Sequence, residues 1–122
     1  MPTNIYLDCD DTLALYCYFD CGHDEHPFGA LSMPWYPNEP LIAGVKAFRA
    51  TNPDALIVVW SGGGKDYART FAERLLPGIY DTTMDKWGDA LKLPRPGDIV
   101  VDDCVIITAG THYLPDEWPD GG

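Results

Sequence analysis

Ile5-Tyr6-Leu7-Asp8-Cys9-Asp10-Asp11-Thr12-Leu13 is the stretch on which the reading of this chain turns. Its first three residues are apolar strand formers, and the run stops abruptly in a cluster of carboxylates and one hydroxyl, as a buried strand does where it leaves a sheet. Two more segments repeat the pattern. Ala55-Leu56-Ile57-Val58-Val59-Trp60 is continuously apolar and ends in Ser61-Gly62-Gly63-Gly64; Ile99-Val100-Val101 ends in Asp102-Asp103. Between them the apolar period is helical. Asn38 is placed to cap a helix carrying Leu41, Ile42, Val45 and Phe48 that Thr51-Asn52-Pro53 stops, and Lys65 to Leu76 puts Tyr67, Phe71 and Leu75 on one face. Further elements are expected as a strand at Ile79-Tyr80, a helix over 86–93 and a strand at Val105-Ile106-Ile107. Strands alternating with helices predict an α/β fold: a three-layer, Rossmann-like sandwich, its mostly parallel sheet covered by helices on both faces through right-handed crossovers.

The chain has 122 residues, 46% hydrophobic and 22% charged, the size and composition of one globular domain spanning 1–122. Two segments fall outside the alternation: an aromatic-rich insert or flap over 16–37, and an irregular tail over 111–122. No apolar run approaches membrane-spanning length, and the N-terminus lacks both a basic start and an apolar stretch, so a cytoplasmic protein is expected. Eight Lys and Arg against 19 Asp and Glu give a net charge of −11, which disfavours a polyanionic partner such as nucleic acid.

The placement of the acids is more informative than their number. Ligands of open parallel sheets bind beyond the carboxyl ends of the strands. Asp8, Asp10 and Asp11 from the first strand, Ser61 from the second, and Asp102 and Asp103 from the third would meet at that edge. Carboxylates so crowded call for a cation, and an all-oxygen set suits Mg²⁺. A nucleotide-binding P-loop is excluded, because Gly64-Lys65 is followed by Asp66 and the earlier glycine it requires is Val59.

These motifs, taken in order over residues 4–108, resemble the haloacid dehalogenase (HAD) superfamily of phosphotransferases. Asp11 stands where that family usually has glycine. The resemblance implies that Asp8 attacks phosphorus to form an aspartyl-phosphate and that Asp10 acts as general acid and base. It implies Mg²⁺ held by Asp8, the backbone carbonyl of Asp10 and Asp102, with Asp103 as a further ligand, and phosphoryl oxygens bound by Ser61 and the amides of Gly62 and Gly63. A charge-neutralising lysine is assigned to Lys86, with Lys92 and Lys65 as alternatives. The gaps between motifs leave no room for a cap domain. A capless member is therefore expected, a Mg²⁺-dependent phosphomonoester hydrolase acting on a small phosphorylated metabolite or nucleotide, with a neighbouring copy in a homo-oligomer able to cover the site. A polynucleotide-end phosphatase, phosphoryl transfer to an acceptor other than water, and a non-catalytic binding or assembly protein of the same fold stay open at this point.

Cys9 and Cys104 lie in apolar runs and read as small buried hydrophobes. Cys17, Cys21, His23 and His26 offer the donor types of a tetrahedral structural zinc, in a spacing unlike the common zinc fingers. The aromatics of the insert have two readings, as a stack for a base or sugar beside the phosphate and as anchors of a long loop.

Overall fold

A computed structural model describes residues 3–16 and 35–119 of the chain. The first strand, β1 (Ile5–Leu7), is followed by the short antiparallel pair β2 (Ala14–Tyr16) and β3 (Trp35–Pro37). Then come α1 (Glu39–Thr51), β4 (Ile57–Ser61), α2 (Lys65–Leu75), β5 (Thr82–Asp85), a 3-10 turn over Gly88–Lys92, β6 (Ile99–Val101) and β7 (Thr111–Tyr113). The main sheet has the order β5-β4-β1-β6-β7, and every pairing in it is parallel. Among the described residues no helix is long and apolar enough to cross a membrane.

The alternation of side chains along the strands decides what covers each face. Ile5, Leu7, Ile57, Val59 and Val101 point to one side and share a core with Leu41, Ile42 and Val45 of α1 and Ala68, Phe71, Ala72 and Leu75 of α2. Each large aliphatic side chain taken fully from water there contributes about 1.5–3 kcal/mol. Tyr6, Val58, Trp60 and Val100 point to the other side, against Ile106 and the partly buried Met84, Ala90 and Leu91. Connectivity explains the asymmetry. The crossovers β1 to β4 and β4 to β5 run in the same direction, so with one handedness both helices lie on the same face; the return from β5 to β6 reverses and lands on the opposite one.

The structure corrects several expectations. The second face carries a 3-10 turn where a helix over 86–93 is expected. Gly88 has φ +71°, and Pro94 follows closely, which leaves space for little more than a single turn. The strand expected at Ile79-Tyr80 lies at Thr82–Asp85 instead, a half-buried edge strand without an apolar run. Val105-Ile106-Ile107 is not a strand: the Asp102 side chain accepts from the Cys104 amide (2.9 Å), turning the chain out of the sheet and leaving Val105 and Ile107 exposed. The chain returns as β7, so the segment from 111, expected to be irregular, begins with a strand. Cys104 is exposed rather than buried, on that same turn; Cys9 is buried.

Candidate active site

β1 is the middle strand of the sheet. The chain leaves it toward β4 on one side, while β6 lies on the other, so the segments that follow β1 and β6 diverge and open a crevice at their carboxyl ends. Asp8 and Asp102 are the first residues beyond those two strands, and both are buried.

The loop after β1 winds around one carbonyl. Cys9 O accepts from the amides of Thr12 (3.2 Å), Leu13 (3.0 Å) and Ala14 (3.1 Å), and a turn this tight puts Asp11 at φ +57°. That left-handed conformation is the physical reason a glycine would suit the position; Asp is among the few other residues that tolerate it. Thr12, fully buried, donates its hydroxyl to Asp8 Oδ2 (3.1 Å) and accepts from the Asp103 amide (3.2 Å), clamping the ends of β1 and β6 together. Asn38 ties the same loop to α1: its side chain donates to Thr12 O (2.9 Å) and caps the helix at the Leu41 amide (3.4 Å).

Lys86 follows directly on β5 and is 6% exposed. Its Nζ donates to Asp8 Oδ1 (3.1 Å) and Asp102 Oδ2 (3.0 Å), and its backbone amide donates to Ser61 O (3.1 Å), so the ends of β1, β4, β5 and β6 meet at one residue. The other two candidate lysines are elsewhere. Lys92 is exposed and pairs with Asp89 (3.4 Å), and Lys65 is exposed at the start of α2.

Electrostatically the crevice holds too much negative charge for its single ammonium. Burial, then the charge of Asp102, pushes the Asp8 carboxyl up to about 7 against the opposing pull of Lys86; a hydrogen bond with Asp103 raises it further. Burial raises Asp102 as well. Burial works against the Lys86 charge, but Asp8 and Asp102 outweigh it and hold the ammonium above its ordinary value. A carboxyl that keeps its proton near neutrality beside two others marks a position that a further cation would relieve. Asp102, Asp103 and Cys104 have ligand atoms within 4.8 Å of one another. Asp8 is not one of that group and is linked to Asp102 through Lys86. The carboxylates are donors of the kind that a hard divalent ion such as Mg²⁺ takes, and the Cys104 thiol is not.

Asp10 is held apart from this group by an arrangement the sequence reading missed. Tyr67 of α2 donates its hydroxyl to both Asp10 oxygens (2.9 and 3.0 Å), and Tyr16 at the end of β2 donates to Oδ1. Burial first, then the bond to Asp10, raises both phenols, which keeps them protonated donors. The sequence places Tyr67 only on the apolar face of its helix; its position one turn past Gly63 is the available signal. His112 of β7 donates from Nε2 to Asp102 O (3.0 Å), another support that a strand hidden in the tail conceals.

Ser61 is buried, and its Oγ accepts from the Gly63 amide (3.0 Å), leaving the hydroxyl proton free to donate. Gly62 and Gly63 are exposed. Their lack of side chains has a packing reason too: a Cβ on Gly62 would lie 2.5 Å from Trp87 Nε1, and one on Gly63 3.0 Å from Tyr67 Cγ. Cys17, Cys21, His23 and His26, the zinc candidates, lie outside the described residues. Of the insert's aromatics that are described, Trp35 is buried against Phe71 and Tyr16 is engaged with Asp10. Set against models of known protein families, curated proteins and solved structures, the chain matches none.

Proposed function

We propose that the chain is a Mg²⁺-dependent phosphomonoester hydrolase of HAD type, a capless three-layer α/β domain working through an aspartyl-phosphate on Asp8. The observation that carries this reading is the buried triad Asp8, Lys86 and Asp102 at the crevice between β1 and β6. Asp8 supplies the nucleophilic oxygen. Its new bond to phosphorus forms as the ester P–O bond breaks, and Asp10 gives its proton to the departing alkoxide. Asp10, now ionised and steadied by Tyr16 and Tyr67, takes a proton from water. That water attacks phosphorus, releasing inorganic phosphate and regenerating Asp8.

Lys86 offsets charge between nucleophile and phosphoryl group, and Ser61 donates to a phosphoryl oxygen with the Gly62 amide beside it. Asp8, the Asp10 carbonyl, Asp102 and Asp103 would hold Mg²⁺, which when bound supplies charge neutralisation for the phosphoryl oxygens. Hydrolysis of an aryl phosphate tests the assignment: it should require Mg²⁺, stop with EDTA, and be lost in Asp8→Asn. Undiminished turnover in that variant would refute it.

A further inference from the structure

The chain has four tryptophans, and three of them are core: Trp35 is 1% exposed, Trp60 0% and Trp118 9%. Trp87 is 55% exposed, and it adjoins the catalytic crevice. Its ring centre lies 4.9 Å from Lys86 Nζ, and the pyrrole edge of the indole fills the space above Gly62 that any side chain there would take. The ring thus rests against the phosphate loop and the lysine, and just over half of the residue's surface stays in water. Gly88 follows at φ +71° with nothing within 4 Å of where a Cβ would project. A large apolar ring held in place by its neighbours but left open to solvent is suited to cover another flat ring.

Resting on the phosphatase reading above, we infer that Trp87 is a stacking platform for the base of a nucleotide, and that nucleoside monophosphates are the substrate class. A phosphoryl group bound by Lys86 and Ser61 leaves the rest of the ester next to the indole, and a base set one ribose away comes within reach of its exposed surface. The net charge of −11 favours mononucleotides over polynucleotides, whose backbone it repels.

The test compares a nucleoside 5′-monophosphate with ribose 5-phosphate, which presents the same phosphorylated carbon without the base. In the Mg²⁺-loaded protein the ratio of their kcat/KM values should exceed one. It should fall about tenfold or more in Trp87→Leu and be largely kept in Trp87→Phe, since base–aromatic stacking depends on a ring rather than on the indole nitrogen. An equal loss on both substrates in Trp87→Leu would overturn the inference, reducing Trp87 to a shield over Lys86, while the phosphatase reading stood. Asp8-dependent turnover of an aryl phosphate with none of either sugar phosphate would do the same. Absence of turnover with all three would overturn both.

Discussion

Lys86 Nζ lies 3.1 Å from Asp8 Oδ1, a buried ion pair between residues 78 positions apart in the chain. The same ammonium also serves Asp102, so its removal would leave two buried carboxyl groups facing each other. Lys86→Met should abolish hydrolysis and cost roughly 3–5 kcal/mol of stability at pH 8. The loss should shrink at pH 5, where the carboxyls can take protons instead. Urea unfolding at the two pH values measures both; an equal loss at each would contradict this account of the pair.

Asp8 itself gives the metal-free protein a pH dependence of fixed sign. Its folded-state value is raised to about 7, so between about pH 4 and 7 the folded protein keeps a proton that the unfolded chain has released. Stability from this group therefore falls as pH rises through that window and stays lower above it. The raised Lys86 contributes stability throughout the window and loses it only at strongly alkaline pH. In EDTA, the difference in urea midpoint between pH 5 and pH 8 should be smaller in Asp8→Asn than in the parent protein. Mg²⁺, competing with the proton, should stabilise more at pH 8 than at pH 5.

Tyr67 acts through Asp10, to which it donates at 2.9 and 3.0 Å. Hydrogen bonds to charged groups are worth about 1.5–3 kcal/mol, so Tyr67→Phe should lower kcat by about tenfold or more. KM should change little, because the phenol orients the proton-transfer group rather than binding phosphate. A change confined to KM would assign Tyr67 to substrate contact instead.

Asp11 at φ +57° isolates a backbone effect. Asp11→Ala should destabilise by about 1 kcal/mol, since alanine lacks the polar side chain that makes the left-handed region tolerable to aspartate, whereas Asp11→Gly should be neutral or slightly stabilising. Denaturation midpoints of the two variants give the comparison; equal effects would show that side-chain contacts of Asp11 matter more than its conformation.

What could be read from the sequence followed the strength of the local signal. β1, β4 and β6 are apolar runs that end in polar residues, so these strands and the convergence of Asp8, Ser61 and Asp102 at one edge were legible without coordinates, while the order of the strands across the sheet was not. β5 and β7 were not. Thr82–Asp85 and Thr111–Tyr113 are edge strands, only partly buried, and neither carries the apolar run that marked the central strands. Their supports differ: Lys86 is implied only by the resemblance to the HAD superfamily, while His112 lies in an expected tail. Trp87 and the tyrosine pair on Asp10 arise from contacts between separate elements, for which no single stretch of sequence holds a signal.

The central claim is that phosphorus becomes bonded to Asp8. Asp10→Asn, which lacks the group that activates water, should accumulate the intermediate when given Mg²⁺ and an aryl phosphate whose leaving group needs no proton. Acid quenching, borohydride reduction and peptide mass spectrometry would then find the acyl phosphate converted to an alcohol in the peptide containing Asp8, and no such product when Asp8→Asn is added. A reduced carboxyl at any other residue, or continued turnover by the double variant, would contradict the account.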